Sequence, residues 1–501
     1  MSATVILSVD VGSSSVRAGL YSTDGQPVLG TERRRSHRFV FSGDGRAESD
    51  ADSLAAHVEA CIDETVTARP RDSTVAAVSF STFLHGMIGA DREGNALTPV
   101  LTWADTRSAD QAARLAVMLD PAWVVQRTGC PLHPAYFPAK ILWFRETVPH
   151  LFHQVDWWCS IGEYCIRRFT GAECCSLSMG SAFGLLNRRT TGWDRDILSA
   201  LALEESRLSP LAGMDSPGRG LCPPFGKRWP ALRDAAWFPA LGDGICSSVG
   251  CGCAAPPRAT LMIGTTGALR AVRAAADAEV PAGLWCYRMD RDWEQVGGVL
   301  GDGGNLVEWM RGLMDIGLGP EQVDSALLAA TPAGHGLTVL PFFTGERSTG
   351  WNPRARGTIS GLSLETSPLD IVQAGMEAVA YRFAAIMTAL KPAAPELREV
   401  VCTGGALLGS PVWVQILADV LEMPLACADE PEASSRGAAI LALEALGYFS
   451  RSNAPSPRLT RTFFPRPEAV EAHRAGFRAQ ERLRRAVLGS REPGGGFHED
   501  D

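Results

Sequence analysis

No apolar run in this 501-residue chain is long enough to span a membrane, and its first twenty residues lack the basic–apolar–small order of a secretion signal. A helical membrane protein is therefore not expected; a cytoplasmic one is. Positive charge is not in excess either. Lys and Arg number 47 against 56 Asp and Glu, a net charge of −9, which argues against a nucleic-acid partner. The dense basic cluster Arg33-Arg34-Arg35-Ser36-His37-Arg38 reads as a solvated strand edge. The thirteen cysteines contain no CxxC pair, and neither Cys246, Cys251 and Cys253 nor Cys174 and Cys175 have a zinc-site spacing. Reduced, buried thiols are expected. No GxxxxGK[ST] occurs, which excludes a P-loop. "GCGCAA" (250–255) fits the dinucleotide fingerprint only formally, because no strand pattern precedes it.

What is present is an ordinary globular composition, 46% hydrophobic and 21% charged, with length for two or three domains. Near the start, "VILSVDVGSSSVRAGL" (5–20) runs apolar to Asp10, crosses Gly12, Ser13, Ser14 and Ser15, and resumes with period-2 alternation. Strand, tight hydroxyl-bearing loop and strand is one reading, with an Asp-Gly turn at Asp24-Gly25 beyond it. Such a loop can cradle an anion while Asp10 holds a cation; a plain hairpin with a small-residue turn is the alternative. "RATLMIGTTGALRAV" (258–272) repeats the pattern, with Gly264, Thr265, Thr266 and Gly267 at the tip. Two such units predict a duplicated α/β protein with a ligand cleft between its halves, and "GCGCAAPPR" (250–258) reads as the hinge region.

Two more glycine-rich loops open helices: "GGVLGDGGNLVEWM" (297–310) with Gly303 and Gly304, and "VVCTGGALLGSPVW" (400–413) with Gly404, Gly405 and Ala406. Glycine there lets backbone N–H groups approach a nucleotide. Ser367-Pro368 and Ser410-Pro411 mark helix starts, and a further helix is expected from about Arg436 to Leu446, ending at Gly447. The final "REPGGGFHEDD" (491–501) reads as a disordered tail. In "FPALGDGICSSVG" (238–250), Asp243 stands between glycines at the end of the first half. It is a candidate proton acceptor for an alcohol in phosphoryl transfer; an Asp capping a helix over 244–250 is the alternative.

With these motifs in order, residues 4–450 resemble the FGGY carbohydrate kinases of the actin, hexokinase and heat-shock-70 ATPase superfamily. "HGMIGADREGNALTPVLTWADTRSA" (85–109) resembles that family's sugar-binding stretch, "KILWFRE" (140–146) one of its signatures, and "ARGTISGLSLETSPLDIVQAGMEA" (355–378) the other, departing at Gly375. The resemblance implies two ribonuclease-H-like domains, 1–253 and 254–450, and a C-terminal extension, 451–501. It implies ATP and Mg²⁺ as cofactors, Asp243 as catalytic base and Asp10 at the metal. The two hydroxyl loops then bind phosphates, and Gly303, Gly304, Gly404, Gly405 and Ala406 receive the nucleotide. His85, Trp103, Asp105, Arg107 and Gly242 would bind a sugar or sugar acid.

"TWADTRSA", "RTGCPLHP", "GTTGALR" and "GERSTGWNP" look most like gluconate kinases, with xylulose and other polyol kinases sharing much of the pattern. A gluconate carboxylate needs cationic or donor groups, for which Arg107, His85, His133 and Lys140 are candidates, although Arg107 can instead pair with Asp105. Glu346 and Arg347 are expected as an internal ion pair. A non-catalytic sugar sensor and an ATPase scaffold are the rival readings, and a homodimer is left open.

Overall fold

The computed structural model describes residues 3–275, 278–313 and 319–489; the expected tail lies outside them. The first half is built on a sheet whose centre is β1 (Ala3–Val11), its antiparallel partner β2 (Ser15–Ser22) and the outer β3 (Arg33–Ser36). On the other side of β1 lies the parallel β4 (Ser73–Thr82), flanked by β5 (Ala236–Trp237) and β6 (Leu241–Gly242). The near-continuous apolar runs of β1 and β4 are those of strands covered on both faces.

The second half repeats this plan. β7 (Arg258–Ile263) pairs antiparallel with β8 (Gly267–Ala274), which continues to β10 (Trp293–Leu300) and β9 (Trp285–Arg288). β7 pairs parallel with β11 (Glu399–Thr403), then come β12 (Leu425–Ala428) and β13 (Leu459–Phe463). β13 and the helix Pro467–Leu488 thus belong to the second sheet and its cover, so the segment after residue 450 is no separate extension.

The helices that place the site are α1 (Phe137–Thr147), α2 (Asp243–Gly250), α3 (Gly304–Leu313), α4 (Pro368–Leu390), α5 (Pro411–Leu421), α6 (Ala433–Ala445) and α7 (Pro467–Leu488). Ser367 closes a capping box with Asp370 at the start of α4. Ser410 does not cap α5; its hydroxyl donates to Asp324 instead, at 2.8 Å. Gly375 has a packing reason, because a Cβ there would stand 2.4 Å from Met310 Sδ on α3.

α6 crosses to the first half. Ser8 and Ser79 of β1 and β4 donate to the Ser435 and Ala438 carbonyls at 2.7 and 2.9 Å. α2 meets α6 backbone to backbone: a Cβ on Gly437 would fall 1.7 Å from the Cys246 carbonyl oxygen. The expected hinge "GCGCAAPPR" carries buried Cys251 and Cys253 and a Gly250 pressed against Ala433, so it is a packed corner rather than a free linker. All thirteen cysteines are free thiols, and only Cys174 and Cys222 are not fully buried.

Candidate active site

Both hydroxyl loops sit where a central hairpin turns, and each sends a hydroxyl residue, Ser13 and Thr266, to one cleft. In the first, Val11 pairs with Val16 and Asp10 with Arg17, leaving residues 12–15 as the turn. Gly12 N–H donates to the Ser15 carbonyl at 3.0 Å, and a Cβ on Gly12 would crowd that oxygen. Ser13 and Ser14 are exposed at the tip. Ser15 departs from expectation: it begins β2, is buried, and its hydroxyl has no partner among the described residues. The Asp-Gly turn forms, with Gly25 at φ 72° and Gly25 N–H on the Ser22 carbonyl at 2.9 Å.

Asp10 is 3% exposed, and its Oδ1 has no hydrogen-bond partner. Its other oxygen lies 3.7 Å from Arg17 Nη1, and Arg17 is drawn more closely to Glu432, at 2.8 Å. Burial pushes the Asp10 carboxyl up to about 6, against the pull of Ser81 and Arg17. Among the described residues no cluster of three metal-ligating side chains exists. One orphaned carboxylate beside a hydroxyl-bearing loop nevertheless suits Mg²⁺, which is commonly held by one or two carboxylates plus substrate phosphates.

The second loop is tied into the glycine-rich 303–305 turn. Gly303 and Gly304 N–H groups donate to the Thr265 and Gly264 carbonyls at 3.1 and 2.8 Å, and a Cβ on Gly304 would lie 2.5 Å from Gly264 O. Gly404, at φ 96°, packs its α-carbon on the Ile263 backbone and starts the short helix Gly405–Leu408. Beyond these loops opens a cavity of about 560 Å³, lined among others by Gly264, Thr265, Gly304, Gly405, Ala406 and Trp413. Gly303 and Gly404, expected to receive the nucleotide, do not line it.

A second cavity, about 180 Å³, lies in the cleft and joins Ser13, Thr266 and Gly267 to His85, Trp103, Asp243, Arg270, Tyr287, Gln295 and Arg347. Asp243 is the first residue of α2. The N-cap is Gly242 and no side chain caps the helix, so the capping alternative is not realised. Burial pushes the Asp243 carboxyl above its ordinary range, while Arg270 and the Gly244 and Leu84 N–H groups oppose the rise. Gly242 fits tightly under Leu84 and donates its N–H to Ser178 Oγ at 2.9 Å. Gln295 ties α2 to β10 through Ser248 at 2.8 Å.

His85 is held at φ 65°, with Nδ1 2.8 Å from the Ala182 carbonyl and its ring edge-on to Tyr136. Burial and Arg347 push it down to about 3, so the ring is neutral. Donation from Nδ1 leaves Nε2 as an acceptor for a hydroxyl.

Two of the expected anion receivers, Arg107 and Lys140, are occupied, and His133 is held neutral. Arg107 donates to Asp105 at 2.6 Å and to Glu48 at 2.9 Å, and it stacks on Trp143. Asp105 also receives the Ala47 N–H at 3.1 Å, and neither Asp105 nor Arg107 lines the cleft cavity. The pair braces the segment 85–109; its side chains are spent on each other. Lys140 on α1 donates to the His85, Leu101 and Thr102 carbonyls at 2.6, 3.1 and 2.9 Å. His133 is pushed down to about 3 by burial and by Arg347.

Glu346 and Arg347 do not pair with each other. Glu346 accepts from Arg484 of α7 at 3.0 Å and from Arg382 at 3.5 Å, leaving Arg347 in the cleft. Sequence reasoning passed over Arg270, Gln295, Tyr287 and the freedom of Arg347. Arg270 had a signal: it is the first of two arginines, with Arg273, on the otherwise apolar strand Gly267–Ala274 that leaves the second hydroxyl loop.

Models of the FGGY family of carbohydrate kinases match residues 5–216 with its N-terminal domain and 262–446 with its C-terminal domain. The chain belongs to that family. This FGGY kinase is 26% identical over 473 residues to the gluconokinase of Bacillus subtilis, covering 91% of each chain. Its fold matches a gluconate kinase from Lactobacillus acidophilus with a TM-score of 0.91 at 24% identity, over 98% of this chain and 99% of that one. A ligand-bound xylulose kinase from the same organism matches equally, with a TM-score of 0.91 at 24% identity over 97% and 99%. The two-domain architecture is that of the sugar kinases in the actin, hexokinase and heat-shock-70 superfamily. Among the described residues no helix is long and apolar enough to cross a membrane.

Proposed function

We propose that this carbohydrate kinase transfers the γ-phosphoryl group of ATP to the terminal hydroxyl of a sugar acid, gluconate, in the cytoplasm. One observation carries the substrate class. Two half-buried guanidinium groups, Arg270 and Arg347, line the cleft with Asp243, and neither has a carboxylate within ion-pair distance among the described residues. Charges withdrawn from water in this way call for an anion: Arg270 has Asp243 nearby and the transferred phosphoryl group to answer it, whereas a neutral polyol leaves Arg347 uncompensated. Thirteen free thiols fit a reducing compartment.

In this reading residues 1–253 carry the sugar and the first phosphate loop, and 254–450 the nucleotide. Asp243 accepts the proton of the attacking hydroxyl, since an alcohol is a poor nucleophile until its proton has a destination. His85 Nε2 orients a substrate hydroxyl, and Trp103 and Tyr287 wall the pocket. Ser13 and Ser14 with Thr265 and Thr266 hold the phosphates, and Ala406 and Trp413 lie against the nucleoside. Asp10 would hold Mg²⁺, which supplies charge neutralisation between the phosphates. Arg270, between Asp243 and the second phosphate loop, faces charge developing on the transferred group.

The test is ADP release with Mg²⁺-ATP against a panel of aldonates, ketoses and polyols. Gluconate should give the highest kcat/KM. Faster turnover of xylulose or another uncharged sugar would replace the substrate, and equal ADP release with and without every acceptor would replace the kinase reading.

A further inference from the structure

The two free guanidinium groups of the cleft differ in surroundings. Arg270 stands beside Asp243: a Cβ on Gly244 would lie 3.4 Å from Arg270 Nε. Arg347 stands with His85, His133, Tyr136 and Tyr287, whose titrations it influences. Its Nε is buried without a hydrogen-bond partner, and the guanidinium carbon stands over the Trp351 ring, 5.8 Å from its centroid.

The backbone around it is fixed on both sides. Glu346 is 2% exposed and clamped by Arg382 and Arg484. Ser348 exchanges two hydrogen bonds with Val299 of β10, both 3.0 Å. With residues 346 and 348 pinned, the side chain between them is held toward the cleft. A rigid guanidinium of this kind suits bidentate contact with a planar carboxylate, a match that Lys reproduces poorly.

We infer that Arg347 receives the carboxylate of an aldonic acid, so that the substrate lies along the cleft with its acid end at Arg347, Tyr136 and Tyr287 and its terminal hydroxyl at Asp243. The inference rests on the sugar-acid reading above and adds to it the orientation of the substrate and the residue that selects it. Arg270 then serves the phosphoryl end, and Arg107 serves neither.

The test compares kcat/KM for gluconate and for glucitol, its uncharged six-carbon counterpart, in the wild type and in Arg347→Gln, Arg347→Lys, Arg270→Gln and Arg107→Leu. Losing a charge-assisted contact should lower the gluconate-over-glucitol preference of Arg347→Gln about ten- to a hundredfold, mainly through KM. Arg347→Lys should fall between it and the wild type. Nucleotide-induced thermal stabilisation reports that each variant is folded. If Arg347→Gln loses it, the preference in Arg347→Lys decides alone, and a wild-type value there overturns the inference. An undiminished preference in Arg347→Gln, or a loss found only in Arg270→Gln or Arg107→Leu, also overturns it while leaving the sugar-acid reading intact. A wild-type enzyme with no preference for gluconate over glucitol removes that reading, and this inference with it.

Discussion

The two central hairpins share a plan and differ in where their charge sits. In the first, four residues separate Val11 from Val16, and the next rung of the ladder is Asp10 opposite Arg17. In the second, three residues separate Ile263 from Gly267, and the corresponding rung is Met262 opposite Ala268. Its charge comes two rungs later, as Arg270 opposite Thr260. One copy therefore places a carboxylate beside its hydroxyl loop, suited to a cation, and the other sends a guanidinium into the cleft. A repeated backbone supplies the two cradles; single side chains at the next rungs divide the chemistry.

That division can be broken in order of expected effect. The largest belongs to the carboxylate between the two hairpins. Asp243→Asn keeps size and hydrogen bonding but cannot accept the proton, and kcat should drop at least about a hundredfold, in line with general-base effects of roughly 10²–10⁴. A near-normal kcat with gluconate at saturation would leave Asp243 a structural residue.

Asp10→Asn comes next. Turnover should fall tenfold or more, by roughly the few kcal/mol a metal-ligand contact supplies in such sites, and the Mg²⁺ dependence should flatten. Proton and cation compete for the carboxylate, so at low Mg²⁺ the acid limb of activity should lie near pH 6 and move lower as Mg²⁺ rises. Stability moves the other way. The folded state raises this carboxyl from 3.8 to about 6, so it favours the protonated form. The favourable contribution is complete below the unfolded value and is lost as pH rises through about 6. At pH 8, Asp10→Asn should therefore melt higher, by roughly 2–6 °C; a lower melting temperature at that pH would contradict the burial argument.

Gly304→Ala sharpens the comparison at the second loop alone. The added methyl meets the Gly264 carbonyl, so KM for ATP should rise several-fold while KM for the sugar acid moves less. Parallel changes in both constants would mean the loops are not separable. Smallest in its effect on selectivity is Arg107→Leu. It strips Asp105 of its partner, which for an enclosed pair costs on the order of 3 kcal/mol, so the protein should melt several degrees lower. The ratio of gluconate to glucitol turnover should stay within about twofold.

Much of this was legible because it is local. Period-2 alternation around Gly12 and Gly264, Ser-Pro at helix starts and Asp243 between glycines each involve neighbours in sequence. The helices expected at 367, 411 and about 436 begin at Pro368, Pro411 and Ala433. What was not legible depends on partners far along the chain. Arg107 is spent because Glu48 arrives from 59 residues away, and Lys140 because the His85, Leu101 and Thr102 carbonyls converge on it. Arg347 is free because Arg484, 138 residues from Glu346, takes the neighbour it was expected to bind. Charge alone names a candidate ligand; its availability is settled by tertiary contacts.

The crossing of α6 onto the first sheet bears on how the polypeptide is made. Ala439, Ala442 and Leu443 of α6 share a core with Ile6, Ala77 and Ala236, so one face of the first sheet has no cover until residues 433–445 have left the ribosome. For most of synthesis that face is an exposed apolar surface, the kind of intermediate that aggregates or recruits chaperones. Residues 1–253 expressed alone should thus be insoluble or hold-bound, and co-expression with 254–501 should rescue them. Topology here makes a late-made helix the keystone of the first-made half.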